Sequence, residues 1–227
     1  MDPIAERLDA IRRRIEAAAG RAGRDPADIR LVAVSKTRTV DEIRAAVAAG
    51  LHEFGENRAQ ELRDKSPFFG TDVIWHFIGR LQTNKVKYVV PGAALVHSLD
   101  RIDLAHELDR RAAATAAPVA VLVEVNTSGE SSKAGVSPAE LHGFLDALRA
   151  FTRLRVQGLM TMAAPGDPAA ARTSFRALRR LRDDLRRLPG FDGLVDLSMG
   201  MSDDFEIAIE EGATIVRIGT AIFGPRQ

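Results

Sequence analysis

The chain has 227 residues, with 32 Lys and Arg set against 31 Asp and Glu, a formal net charge of +1. That balance excludes a general attraction to nucleic acid or anionic membrane, and the length suits one domain the size of a compact (β/α)8 barrel. There is no cysteine, which excludes disulfides, Cys–metal sites and thiol catalysis, and fits a reducing compartment.

Residues 3–22 form an amphipathic helix in this reading, with Ile4, Leu8, Ile11 and Ile15 on one face and a stop near Gly23. Glu6, Arg7, Arg12, Arg13 and Arg14 interrupt any continuous apolar segment there, so no signal peptide is read. No apolar run is long enough to cross a bilayer, and a soluble cytoplasmic protein is expected. Residues 31–37 (LVAVSKT) read as a strand covered on both faces, with Lys36 where it emerges. Thr39-Val40-Asp41-Glu42 is a capping box for a helix that stops at Gly50. A second strand at 52–55 leads through Glu56-Asn57-Arg58 into another helix, and 73–79 gives the third strand. A helix over 85–89 ends before Pro91, and 94–99 is the fourth strand.

Asp100 is expected to cap a helix that runs to about Ala114. Residues 119–126 (VAVLVEVN) carry the strongest β-pattern, followed by a Gly/Ser/Lys loop over 127–135. Ser137-Pro138-Ala139-Glu140 combines a capping box with proline at the first helical position. The sixth strand covers 155–161, and Asp167-Pro168 opens a long basic helix that ends before Pro189. Strands seven and eight fall at 194–199 and 213–218, with a helix through Glu211 between them. Eight strands separated by helices read as an α/β fold, a single (β/α)8 barrel of TIM type with an additional N-terminal helix, occupying 1–227 as one domain. A doubly wound open sheet is the alternative. In the basic helix, Asp183 and Asp184 break the run of arginines, while Phe175, Leu178, Leu181 and Leu185 make one buried stripe. No aromatic side chains interleave to stack bases, so it reads as a solvated outer helix rather than an RNA-binding face.

The residues that look out of place fall at strand exits: Lys36, Glu56 and Asn57, His76, Ser98 and Asp100, Asn126, Met160 and Thr161, 198–202 and 217–220. In a barrel they converge on the rim that carries active sites. An amine at the end of a buried strand is partly desolvated, which lowers its pKa from about 10.4 and makes it a nucleophile towards carbonyls. The alternative for Lys36 is a side chain that snorkels to water. Ser198-Met199-Gly200-Met201-Ser202 and Ile218-Gly219-Thr220 supply hydroxyls and free amides after strands seven and eight, where barrels commonly hold a phosphate. Alternatively, Ser202 caps its helix and Gly219 turns the chain. Asp203 and Asp204 sit well beside a phosphate only if both point outward. Arg217, inside an apolar run, needs either a ligand at the rim or an ion pair with Glu124 or Asp196. A lysine nucleophile, a phosphate cup and a positioned polar side chain together describe a pyridoxal-phosphate site. The aldehyde meets Lys36, the phosphate takes the last two loops, and Arg217 faces the ring nitrogen, where its charge disfavours ring protonation.

These residues carry a family resemblance. VAVSKT (32–37), FGENRAQE (54–61), HFIGRLQTNK (76–85), VNTSGESSKAG (125–135), GLMTM (158–162), LSMGMSDDFEIAI (197–209) and VRIGTAIFGPR (216–226) span nearly the whole chain. Together they closely resemble the pyridoxal-phosphate homeostasis proteins, which share the fold of the alanine racemase N-terminal barrel. The resemblance implies that Lys36 is the Schiff-base lysine and that Ser198, Ser202, Gly219 and Thr220 contact the phosphate. It also implies a ring contact from Arg217, with Asn57, Met160 and Met201 beside the cofactor. The implied role is holding pyridoxal 5'-phosphate, delivering it to apo-enzymes and balancing its vitamers, as a monomer without robust turnover.

Two-base racemisation needs a proton donor and acceptor on opposite faces of the adduct. Racemases of similar fold take the second base, a tyrosine, from a domain after the barrel; here the sequence ends at Gln227 and the only tyrosine, Tyr88, is expected on the outside. Three rivals stand beside the binding protein: a weak racemase or lyase using His76 as second base, an aldolase-type barrel enzyme for a phosphorylated sugar, and a nucleic-acid-binding role for the arginine helix. Lys85 and Lys133 are candidates for a second, transient cofactor site or a partner dock.

Overall fold

The computed structural model describes residues 3–115, 117–129 and 134–225. Eight parallel strands close on themselves in chain order: β1 Arg30–Val34, β2 Glu53–Glu56, β3 Ile74–Phe77, β4 Leu95–Leu99, β5 Val119–Glu124, β6 Leu154–Met160, β7 Asp196–Ser198 and β8 Ile215–Ile218. β1 closes the ring by pairing with both β2 and β8, Ala33 standing opposite Phe54 on one side and Ile218 on the other. The open-sheet alternative is therefore ruled out.

Alternation along each strand separates two layers, because successive side chains of a strand point to opposite faces. Outward, Ala33, Phe54, Trp75, Val96, Val121, Leu159, Leu197 and Val216 join the large apolar layer beneath the helices. Inward, Val32, Leu95, Ala120, Leu122, Met160 and Ile215 form a small separate cluster. That inner cluster does not fill the barrel; the buried His76, His97, Ser198, Glu124 and Arg217 alternate with outward-facing strand residues and occupy the rest. The interior is polar from the middle of the barrel to its C-terminal mouth.

The helices are α1 Pro3–Arg21, α2 Val40–Ala48, α3 Ala59–Lys65, α4 Val86–Val89, α5 Ile102–Ala112, α6 Leu141–Leu148, α7 Pro168–Arg186, α8 Phe205–Glu210 and α9 Thr220–Phe223. α1 buries Leu8, Ile11 and Ile15 and lies against α8 and α9, with Arg14 paired to Glu206 and Arg21 to Glu210. The capping box at Thr39 and Glu42 forms in full. Asp167 caps α7 by accepting from the Ala169 and Ala170 amides.

Three local expectations are corrected. β1 stops at Val34: the Ser35 hydroxyl bonds Glu56, and the chain then turns through Lys36 and Thr37, the Arg38 amide donating back to the Ser35 carbonyl. Asp100 does not cap α5; the cap position is Arg101, whose guanidinium takes the Asp100 carboxylate at 2.6 Å. Only half of the Ser137–Glu140 box forms, the Glu140 amide donating to Ser137 Oγ and the Ser137 hydroxyl to the Glu140 carboxylate, and it lies in a turn that precedes α6.

The arginine helix has no free cationic face where it meets α8. Arg172 bonds Glu210 and Glu211, and Arg176 holds Glu211 through two nitrogens. Its inner face buries Phe175, Leu178 and Leu185, as the spacing predicts, with Leu181 packed at the edge of the core.

Candidate functional site

A cavity of about 540 Å³ opens at the C-terminal mouth of the barrel. Seven residues singled out from the sequence line it: Lys36, Asn57, Met201, Ser202, Arg217, Gly219 and Thr220. Two do not. Met160 is buried in the inner apolar cluster, and the Ser198 hydroxyl is fully buried, accepting from Arg217 and lying 2.9 Å from His97 Nδ1.

Lys36 sits half-buried in the turn after β1, and no hydrogen bond or ion pair holds its amine among the described residues. Its neighbours are held instead. Lys65, on α3, donates to the Ser35 carbonyl at 2.9 Å, to Glu56 at 2.7 Å and to Glu61 at 2.8 Å. Glu56 is fully buried and also accepts from the Ser35 hydroxyl; burial pushes its carboxyl up, with Lys65 and Ser35 opposing. Glu61 accepts the Thr37 amide at 2.8 Å and fixes that residue at φ +64°, a left-handed conformation that a β-branched side chain rarely takes. The backbone on both sides of Lys36 is clamped while its side chain stays free. In the sequence Lys65 is one more lysine of a helical stretch, and nothing there marks it for this role.

Asn57 is brought to the cavity by a close crossing of the loops after β2 and β3. A Cβ on Gly79 would lie 2.2 Å from the Asn57 carbonyl oxygen, so only glycine permits it. The Asn57 side-chain oxygen is buried without a hydrogen-bond partner, a vacancy that a ligand donor would fill.

After β7, Gly200 at φ +92° makes a tight turn; a Cβ there would press to 2.5 Å from Ala208. Asp204 closes this turn by accepting the Met201 amide at 2.6 Å, and burial holds its carboxyl above the usual range against that bond. Asp203 lines the cavity. The condition that both aspartates point outward is not met: Asp204 staples the loop and Asp203 stands at the mouth. Ser202 is not the cap of α8 either, that position being Asp204.

Arg217 projects from β8 into the interior. It donates to the Ser198 hydroxyl and to the Thr161 carbonyl, the latter at 3.1 Å. Neither Glu124 nor Asp196 pairs with it directly; Asp196 binds Arg30 at 2.7 Å. Burial draws the guanidinium down to about 10, with the fields of Glu124 and Asp204 opposing. Glu124, also at the cavity, is pushed up to about 7 by burial and by Asp100, against Arg217 and Arg80.

Behind Arg217 a chain of polar side chains continues through the barrel. Ser198 Oγ lies 2.9 Å from His97 Nδ1, and His97 Nε2 lies 2.9 Å from His76 Nδ1. His76 Nε2 lies 3.0 Å from Glu53 Oε2, near the N-terminal end of β2. This last contact is close but poorly aligned for a hydrogen bond, and neither atom has a hydrogen-bond partner. His76 is thus an interior residue and not the rim base that a racemase reading requires.

Tyr88 lies outside the barrel among Arg63, Lys85 and Lys87. Lys85 lines a neighbouring groove of about 750 Å³ with Arg58, Arg80 and Arg101. Lys133 lies outside the described residues.

A closed parallel barrel with an untethered lysine at the exit of its first strand, and hydroxyl-bearing loops after its last two, matches the family model described as "Alanine racemase, N-terminal domain" over residues 7–227. Within that class the chain belongs to the pyridoxal phosphate homeostasis protein family. It is 47% identical to the pyridoxal phosphate homeostasis protein of Aquifex aeolicus, covering 98% of each chain. It is 45% identical to the protein of that name from Pseudomonas aeruginosa, over 100% of this chain and 97% of the other. Among solved structures it is similar to PipY of Synechococcus elongatus PCC7942 with PLP bound, at TM-score 0.85 and 35% identity, covering 97% of this chain and 100% of that one.

Proposed function

We propose that this chain binds pyridoxal 5'-phosphate through a Schiff base on Lys36 and serves to hold the cofactor and pass it to apo-enzymes. The observation that carries the reading is the untethered Lys36 amine sharing one cavity with Arg217 and the Ser202 and Thr220 hydroxyls. The residues fit the group. The cavity volume lies in the range of small-molecule sites, and the buried Asn57 oxygen awaits a donor. When bound, the cofactor supplies an aldehyde to which a lysine amine adds with loss of water.

In this reading Lys36 provides the nucleophile, and Ser202, Gly219 and Thr220 hold the phosphate. Arg217 donates towards the ring nitrogen, and Asn57 and Met201 border the ligand. A guanidinium at the ring nitrogen opposes its protonation and so weakens the electron withdrawal that amino-acid chemistry requires. That favours storage over turnover, and is consistent with relatives named for homeostasis. A racemase or lyase drawing on His76 gains no support, because that imidazole is buried among His97 and Glu53 and does not line the cavity. The chain as a whole, residues 1–227, acts as one cofactor-binding domain in this proposal.

The test is a visible spectrum of the purified protein with added pyridoxal 5'-phosphate, before and after borohydride, with Lys36→Ala alongside. The wild type gains a band that reduction abolishes and fixes on the peptide containing Lys36. Mixed with an apo-aminotransferase, the loaded protein restores activity and the reduced protein does not. A wild type that stays colourless overturns the reading.

A further inference from the structure

Arginine has only donors, so Ser198 Oγ accepts from Arg217, and this favours one direction for the bonds behind it. Arg217 donates to Ser198 Oγ, so the Ser198 proton is free to point at its other neighbour, His97 Nδ1. A His97 that accepts at Nδ1 carries its proton on Nε2 and donates to His76 Nδ1. His76 then carries its proton on Nε2, facing Glu53 Oε2 at 3.0 Å. The opposite direction would give Ser198 two donors and leave its own proton without an acceptor. It would also leave His76 Nε2 without a proton, its lone pair turned on Glu53 Oε2 3.0 Å away, in a pair of rings that are 1% and 0% exposed.

We propose that Glu53, His76 and His97 are positioning residues for Arg217: the two imidazoles form a one-way chain of hydrogen bonds to the hydroxyl on which the guanidinium rests, and the field of the Glu53 carboxylate, in contact with His76 but not hydrogen-bonded to it, orients the far end of that chain. The inference rests on the proposed contact between Arg217 and the cofactor ring. A chain of hydrogen bonds that all run one way polarises each member, so the acceptor at its end is stronger than an isolated serine. Ser198 is such an acceptor. It pins one nitrogen of Arg217 while Thr161 pins the other, which sets the plane of the guanidinium facing the cavity. Burial also keeps His97 neutral, holding it well below the usual imidazole range, with His76 and Arg217 adding to the effect. A neutral His97 is what the chain needs, since a cation could not accept from Ser198.

This explains why a line of polar side chains crosses the inner layer at mid-barrel. Four residues from β2, β3, β4 and β7 meet β8 there, while the remaining inner positions at mid-barrel are Val32, Leu95, Leu122 and Ile215. It also gives Ser198 a different role from the phosphate contact implied by the resemblance.

The decisive measurement needs no cofactor. Long-range 15N–1H NMR of the wild-type protein labelled at histidine nitrogens reads the tautomer of each ring. The expected result is two neutral imidazoles at His76 and His97, both protonated at Nε2. A charged ring, or a proton on His97 Nδ1, overturns the proposal.

Glu53→Gln provides the second arm, keeping size and an acceptor oxygen while removing the charge. With pyridoxal 5'-phosphate added, it is expected to weaken binding about fivefold and shift the visible band by several nanometres, with the band still trapped on Lys36. His97→Gln, whose amide can accept from Ser198 and donate to His76, should restore more of the wild-type band than His97→Phe. A Glu53→Gln protein that loses thermal stability but keeps the wild-type band and affinity shows a merely structural chain and refutes the proposal. Failure of the wild type to bind the cofactor at all would refute the proposed function instead, leaving the tautomers to be judged by NMR.

Discussion

The two charged ends of the cavity are supported in opposite ways. At Lys36 the supports grip the backbone: Lys65 holds the Ser35 carbonyl, Glu61 holds the Thr37 amide, and nothing described holds the lysine amine itself. At Arg217 the supports grip the side chain, through Ser198 and the Thr161 carbonyl. A nucleophile must keep its lone pair available, so it can be aimed only by fixing the chain around it. A guanidinium that works by direction and charge is best held by its own nitrogens. The Lys36 clamp also closes locally, within 30 residues of sequence and between β1, β2 and α3, whereas the Arg217 support crosses the whole interior.

The largest expected effect comes from removing the centre of the local clamp. Lys65→Met leaves Glu56, which is fully buried, without its cation. Stripping one partner from a buried ion pair costs about 3–5 kcal/mol, read here as a lower urea midpoint. Trapping of pyridoxal 5'-phosphate by borohydride should slow as the Lys36 turn loosens. If the two ends are held separately, the histidine nitrogen shifts stay as in the wild type. A change in those shifts would break the comparison and mean that one network serves both ends.

Glu124 stands between the ends and feels Asp100, Arg217 and Arg80. Its folded-state pKa of about 7 lies above the ordinary 4.5, so the folded protein binds the extra proton between those values. Stability from this group is therefore greatest at low pH and is lost as pH rises through the window, amounting to about 3 kcal/mol by pH 8. Glu124→Gln should flatten the decline of thermal midpoint between pH 5 and 8 and leave the variant more stable than wild type at the upper end. An unchanged pH profile would show that the carboxylate is ionised throughout. Should the variant also shift the visible band of bound cofactor, Glu124 acts on the Arg217 end as well.

The difference between the ends also explains how far each was legible in the sequence. Lys36 and Arg217 declare themselves as charges inside apolar runs, and strand exits could be placed because apolar residues alternate or cluster there. The supports do not declare themselves. Glu53, His76 and His97 come from three strands and meet only once the barrel closes, and a lone histidine in AALVHSL looks like any buried polar residue. One signal was present: His76 lies between Trp75 and Phe77, which face the helices, so its parity points inward. Lys65 gives no such sign, since one more lysine on a helix is ordinary. Asp100 misled because its carboxylate is adjacent to Arg101, and a charge pair one residue away outcompetes a backbone cap.

Thr37 offers the smallest and most pointed test. Its left-handed backbone costs a β-branched residue about 1–3 kcal/mol, and glycine would adopt it without strain while losing about 0.5–1 kcal/mol in unfolded-state entropy. Thr37→Gly should therefore raise stability by about 1 kcal/mol, seen as a modest rise in the urea midpoint. The amide bond to Glu61 survives the change, because it is made by the backbone. What is lost is the stiffness that a branched side chain imposes on the residue after Lys36. A more stable protein that traps pyridoxal 5'-phosphate more slowly would show that the strain is spent on aiming the amine. A more stable protein that traps at the wild-type rate would show that Glu61 and Lys65 suffice, and that the clamp lies in the charge network alone.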